Sequence, residues 1–252
     1  MKKITLFFSF ALLFACAALQ ARTVYVTRHG QVGDKRYYKS ASGIRDIMLT
    51  DLGKEQAKLL GEYLIKEKKF NGTIYVSPFH RTTETGVIVA EMLGKKVLLE
   101  PGIQEIAPGK KGKVMTGAEI SAAFSGKAVP GSAFTDDWRC FNEDHAARQE
   151  RVNKAIDRIL KETKGDILLV SHGGTCGNIF KALNDKRPSK KIKSGGGKPW
   201  NCSLSIFEFD DAGKMIGGGY TTEYMPDEKV TSNYRAPKVP KPDDPRYEVP
   251  KK

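Results

Sequence analysis

Short β-rich runs alternate with helix-length amphipathic stretches from Thr23 to Leu99, and this alternation most narrows the possible folds. Thr23-Val24-Tyr25-Val26-Thr27 reads as a buried strand. Thr50 stands at a helix N-cap position. Leu52, Leu59, Leu60, Tyr63 and Leu64 share one face of a helix predicted to run to about Lys69. Thr73 to Ser77 is a second strand, stopped by Pro78. A helix from about His80 to Leu93, ended by Gly94, leads to a third strand at Val97 to Leu99. Strand, helix, strand, helix, strand calls for a parallel sheet covered by helices. Farther on, a polar helix (His145 to Lys164) precedes the apolar strand Asp166 to Ser171. A helix from Thr175 to Leu183, a strand from Ser203 to Phe209 and a return strand to Thr222 follow. The expected class is α/β: a three-layer α/β/α sandwich with a mostly parallel central sheet.

Two stretches break the rhythm. The polar, Tyr-rich segment from Gln31 to Met48 reads as a loop. Residues 106 to about 144 are rich in glycine and basic residues and too long for a plain connection, so they read as a functional insertion or lid.

The ends read differently from the middle. Lys2 and Lys3 precede an uncharged apolar run to about Leu19, followed by small residues up to Ala21. That order is a secretory signal peptide over residues 1–21, and the run is short for a membrane span, which needs about 20 residues. Lipoprotein processing at Cys16 is the alternative. An exported protein, periplasmic or secreted, with no membrane span after processing, is expected. The domain proper is placed at 22–225, and residues 226–252 read as an extended Pro/Lys-rich tail. Roughly 230 residues suffice to bury a core without staples. Cys140, Cys176 and Cys202 remain after processing, an odd number, with their pairing open. Neither their spacing nor the 4 histidines fit a zinc site, so no metal and no cofactor are expected. Loss of Lys2 and Lys3 lowers the formal charge from +13 to +11, a field that attracts anions. No nucleic-acid motif accompanies it. Gly195-Gly196-Gly197-Lys198 lacks the Ser or Thr and the glycine spacing of a nucleotide loop. Small phosphorylated substrates and anionic surfaces are both open as partners, and so is the oligomeric state.

Two of the strands end alike, in Arg28-His29-Gly30 and in Ser171-His172-Gly173. The carboxyl ends of strands line the ligand crevice of an open parallel sheet, so both histidines should face one cleft. A lone strand-end histidine is usually structural; a matched pair points to chemistry. Arg28 adjoins His29, and Arg81 follows a third strand end near a helix start. Arginine offers a planar fork of donors suited to phosphate oxygens, and a helix start adds backbone N–H groups. Glu105, after the third strand, is placed to protonate a departing oxygen. A cysteine-based phosphatase is excluded, because the residues six beyond the three cysteines are Ala146, Ala182 and Glu208 rather than Arg.

These blocks, with Ser77-Pro78, Thr85, the stretch Asp46 to Ala57, and Asn201 to Ser205, resemble the histidine phosphatase superfamily over roughly Thr23 to Phe209. They resemble the branch of cofactor-dependent phosphoglycerate mutases and broad-specificity phosphatases. The resemblance implies that His29 is the nucleophile and becomes phosphohistidine. It implies that Arg28, Arg81 and His172 bind the phosphoryl oxygens, and that Glu105 is the proton donor. Gln31, Val32 and Asp34-Lys35 depart from the mutase pattern after the glycine, and the acid phosphatase pattern is also missing. Lys35 stands where that branch often has a phosphate-touching Asn. The expected activity is therefore metal-independent hydrolysis of phosphate monoesters. A mutase-like phosphotransferase and a non-catalytic phospholigand-binding protein are the alternatives. Lys110, Lys111 and Lys113 are expected to favour substrates with an additional anionic group.

Overall fold

The computed structural model describes residues 21–106, 113–139 and 142–232. Residues 1–20 of the expected signal peptide, Cys16 among them, lie outside the described residues, as do Cys140, Lys110, Lys111 and the tail beyond residue 232.

The chain enters the sheet at β1 (Arg22–Arg28), folds a hairpin of β2 (Val32–Lys39) and β3 (Arg45–Leu49), and continues into α1 (Asp51–Lys66). Then come β4 (Thr73–Val76), α2 (His80–Met92), β5 (Val97–Leu99), the short α3 (Gly117–Ala123) and β6 (Ala128–Pro130). The second half runs α4 (His145–Glu162), β7 (Ile167–Ser171), α5 (Gly173–Asn184), β8 (Leu204–Phe209) and β9 (Met215–Thr221). The main sheet has the order β6-β5-β4-β7-β1-β8-β9. Strands β6, β5, β4, β7 and β1 pair in parallel; β8 runs antiparallel to β1 and β9 to β8.

Residue parity explains the two cores. Tyr25, Ile74, Val76, Leu168 and Val170 meet Leu60 and Leu64 of α1 and Val89 of α2 on one face. Val24, Val26, Ile167 and Leu169 meet Val152 and Ile156 of α4 and Ile179 of α5 on the other. A strand covered on both faces is apolar throughout, and for that reason β7 was legible as one. Thr50 caps α1 by accepting a hydrogen bond from the Gly53 N–H.

The register builds the crevice. Arg28 pairs with Ser171 and Val76 with Val170, so Ser77, His29 and His172 emerge in a row. The His29 N–H donates to the Ser171 carbonyl at 3.0 Å and the Ser77 N–H to the Val170 carbonyl at 3.1 Å.

Four expectations change. The 31–48 segment is a hairpin, turned at Ser40 to Gly43 with Gly43 at φ 80° and closed by the Ser40 N–H on the Ile44 carbonyl. Its exposed Arg36, Lys39 and Arg45 mask the strand pattern, while Tyr38 stacks on His80 of α2 at 4.5 Å between ring centroids. The 106–144 stretch is not wholly an insertion: Ala128 to Pro130 forms the parallel edge strand beside β5, too short to show a period. Helix α5 begins at Gly173, two residues earlier than expected, directly after His172. Residues 226–232, expected in the tail, pack back onto the domain: Thr231 is buried and bonds Gln56 and Asn201. Cys176 and Cys202 are free thiols in the cores on opposite faces of the sheet.

Candidate active site

His29 leaves the end of β1 in a turn that fixes its ring. Its Nδ1–H donates to the Gly30 carbonyl at 2.7 Å. Asn201 donates to the His29 carbonyl at 2.8 Å, and the Gly30 N–H donates to Thr85 Oγ1 at 3.0 Å. A Cβ at position 30 would lie 2.3 Å from the Gly53 carbonyl oxygen, so only glycine lets this turn pass the start of α1. With Nδ1 occupied as a donor, Nε2 carries the lone pair. Arg81 Nε donates to that nitrogen at 3.3 Å. Burial, then Arg81 and Arg28, hold the His29 imidazole well below the usual histidine range, partly opposed by its bond to Gly30. The ring is therefore neutral at physiological pH, as a nitrogen nucleophile must be.

His172 is the N-cap residue of α5, and its ring lies 5.4 Å from that of His29. Arg81 Nη2 donates to His172 Nδ1 at 3.0 Å, which leaves Nε2–H to donate to Ser77 Oγ at 2.8 Å. Burial and Arg81 also hold this ring well below the usual range. Arg81 thus touches both histidines. Its third nitrogen, Nη1, pairs with Asp46 Oδ1 at 3.6 Å. Asp46 belongs to the hairpin: its carboxylate also accepts from the His80 N–H at 2.6 Å, capping the first turn of α2 from outside. Burial raises the Asp46 carboxyl against the opposing pull of Arg81 and of the His80 and Ile47 N–H groups. Arg28 donates through Nη1 to the Pro199 carbonyl at 3.0 Å, and its guanidinium lies against Gly173 at the head of α5.

Glu105 reaches the same helix start. Its Oε2 accepts from the Gly174 N–H at 3.1 Å, and its Oε1 pairs with Arg148 Nη1 at 3.3 Å. All five residues named from sequence therefore converge on the carboxyl ends of β1, β4 and β7. Ser77, Thr85 and Asn201 were legible from sequence only as parts of matching blocks, and Asp46 and Arg148 carried no legible role. The site residues they hold lie 35 or more residues away in the chain (Ser77 to His172, Thr85 to Gly30, Asn201 to His29, Asp46 to Arg81 and Arg148 to Glu105), beyond any local pattern. Lys113 is described and exposed; Lys110, Lys111 and the side chain of Lys35 lie outside the described residues. Among the described residues no three His, Cys, Asp or Glu side chains cluster as a metal site.

The buried histidines carry an acid-stability prediction. Burial and Lys54 lower His80 from 6.5 to about 4, in the same direction as His29 and His172. A histidine lowered in the folded state takes up its proton first in the unfolded chain. Its contribution is intact above pH ~6.5 and is lost as pH falls toward the folded value. His80 alone should cost about 2 kcal/mol between pH ~7.5 and ~5. Urea midpoints across that range should fall in the parent chain and fall less in His80→Gln.

The histidine phosphatase superfamily (branch 1) model matches residues 24–218. Phosphoglycerate mutase-like protein 4 from Arabidopsis thaliana is 30% identical over 195 residues, 76% of this chain and 81% of that protein. The transcription factor tau 55 kDa subunit from Saccharomyces cerevisiae is 31% identical over 214 residues, 74% of this chain but 47% of that protein. The crystal structure of the ecdysone phosphate phosphatase from Bombix mori, in complex with tungstate, superposes with a TM-score of 0.59 at 20% identity, covering 81% of this chain and 93% of that one, which speaks for the fold alone. By the extent of the family match and the identity to the plant protein, this chain belongs to branch 1 of the histidine phosphatase superfamily.

Proposed function

We propose that this protein hydrolyses phosphate monoesters in two steps through a phosphohistidine on His29, with no metal ion. The observation that carries the reading is the His29 tautomer. Nδ1–H is committed to the Gly30 carbonyl, and Nε2 points its lone pair at the guanidinium of Arg81. When a phosphoryl group enters, Arg81 exchanges that bond for the phosphoryl oxygens, and Arg28 and His172 complete the cradle. Nε2 attacks phosphorus as the ester P–O bond breaks, and Glu105, as the general acid, gives a proton to the leaving oxygen. The imidazolium formed is stabilised by the Gly30 carbonyl. A water then attacks phosphorus, Glu105 takes its proton, the N–P bond breaks and inorganic phosphate leaves. Fixed cations supply the charge stabilisation. Membership of the fold does not by itself decide activity; the intact nucleophile, cradle and acid support catalysis.

The apolar leader with its small-residue end supports export. Among the described residues no helix is long and apolar enough to cross a membrane. N-terminal sequencing of the processed protein should begin at Arg22; a blocked Cys16 would favour the lipoprotein route instead.

Initial-rate hydrolysis of 4-nitrophenyl phosphate in excess chelator tests the activity. Turnover should be undiminished by the chelator. Loss of turnover that returns with added metal would contradict the proposed mechanism, and none between pH ~4 and ~8, a range bracketing the ordinary histidine value, would favour a phospholigand-binding protein.

A further inference from the structure

Resting on the phosphatase reading, we propose that Arg148, in the first turns of α4, is a positioning residue that aims the Glu105 carboxyl at the leaving oxygen. Two arginines of α4 grip the segment that carries the acid. Arg151 donates to the Gly102 carbonyl at 2.7 Å and to the Gln104 carbonyl at 3.3 Å, and is itself anchored by Glu143 at 2.6 Å. That fixes the backbone on the N-terminal side of Glu105. Arg148 fixes the side chain: Nη1 meets Glu105 Oε1, and Nη2 donates to His145 Nδ1 at 2.7 Å.

The other donors do not replace it. The Gly174 N–H holds Oε2, and the Ile106 N–H meets Oε1 at 3.2 Å from the adjacent residue. Thr175 has one hydroxyl proton, and the Gln104 carbonyl at 2.9 Å competes for it with Glu105 at 3.2 Å. Without Arg148, Oε1 loses its charged lateral tie and the carboxyl can swing about the Gly174 contact. Packing gives no reason for a cation here. The rest of the buried stripe of α4 is Val152, Ala155, Ile156 and Ile159. Arg148 is 9% exposed and its Nε is buried with no hydrogen-bond partner. A buried guanidinium left partly unsatisfied costs stability, and an apolar residue would serve the core better.

The test compares kcat/KM for two monoesters in the full chain. This ratio reports steps up to formation of the phosphoenzyme, so it isolates proton delivery to the leaving group from the later attack by water. Glycerol phosphate needs that proton; 4-nitrophenyl phosphate, whose phenolate departs unaided, does not. Arg148→Met should lower kcat/KM for glycerol phosphate by about a hundredfold, the cost of a misplaced catalytic group, and affect the aryl ester far less. Arg148→Lys, which keeps the charge with a shorter reach, should recover part of the loss; should the Met variant not fold, the Lys variant must still lose alkyl more than aryl activity. In a Glu105→Gln background, Arg148→Met should add no further loss. Equal losses on both esters, or a loss that adds to that of Glu105→Gln, would overturn the role given to Arg148. A parent chain that hydrolyses neither ester would instead refute the phosphatase reading, and the role of Arg148 with it.

Discussion

Replacing His29 by alanine should lower kcat for a phosphate monoester by at least about 10⁴-fold, while inorganic phosphate still binds. The two expectations separate because the residue has one role. In the proposed mechanism its neutral imidazole contributes a lone pair to the reaction and no charge to the cradle. Arg28 and Arg81, which supply the charge, stay in the variant. Isothermal titration with inorganic phosphate, beside rates on 4-nitrophenyl phosphate, measures both. Turnover that survives in His29→Ala would place the nucleophile elsewhere. Loss of phosphate binding together with turnover would mean that the ring organises the cradle rather than reacting.

The second large effect is at Arg81. This side chain touches His29, His172 and Asp46 at once, so Arg81→Met should cost both rate and stability. Loss of a cation that meets developing charge on a transferred phosphoryl group lowers kcat/KM by about 10³-fold. The stability cost comes from Asp46, whose side chain is 11% exposed and whose carboxyl burial already raises. A carboxyl raised in the folded state opposes folding increasingly as pH rises above its unfolded value near 4, and Arg81 offsets this. Arg81→Met should therefore lose about 1–3 kcal/mol at neutral pH, with the deficit shrinking toward pH ~4. Adding Asp46→Asn removes the buried charge that then keeps only Arg139 and the His80 and Ile47 N–H groups, and should restore the urea midpoint without restoring turnover. A double variant that regained activity would show Arg81 to be a structural partner of Asp46 only.

What could be read in advance divides by distance along the chain. Each strand end carrying a histidine was legible because a short apolar run, a histidine and a glycine stand together in sequence. The Thr50 cap and the helix it opens were legible for the same local reason. The hairpin was hidden because its outward residues are Arg, Lys and Tyr, and its burial comes from Tyr38 lying on His80 of a later helix. Strand β6 was hidden because three residues at a sheet edge show no alternation. In the site, the reacting groups stood out by type and position, whereas what holds them did not. Asp46 reaches Arg81 across 35 residues and Arg148 reaches Glu105 across 43, and no spacing rule links either pair.

Both predictions rest on one proposed event, the transfer of a phosphoryl group to His29 Nε2. Rapid quenching of the full chain during turnover of a ³²P-labelled monoester would capture it directly. Trypsin cuts after Arg28 and Lys35, so the label should appear on the His29–Lys35 peptide, stable in alkali and lost in acid as an N–P bond is. Asp34, in the same peptide, would form an acyl phosphate that alkali removes. Alkali-stable label on that peptide, absent from His29→Ala, is the predicted result; label on another peptide, or continued turnover with no labelled protein, would contradict a phosphohistidine at His29.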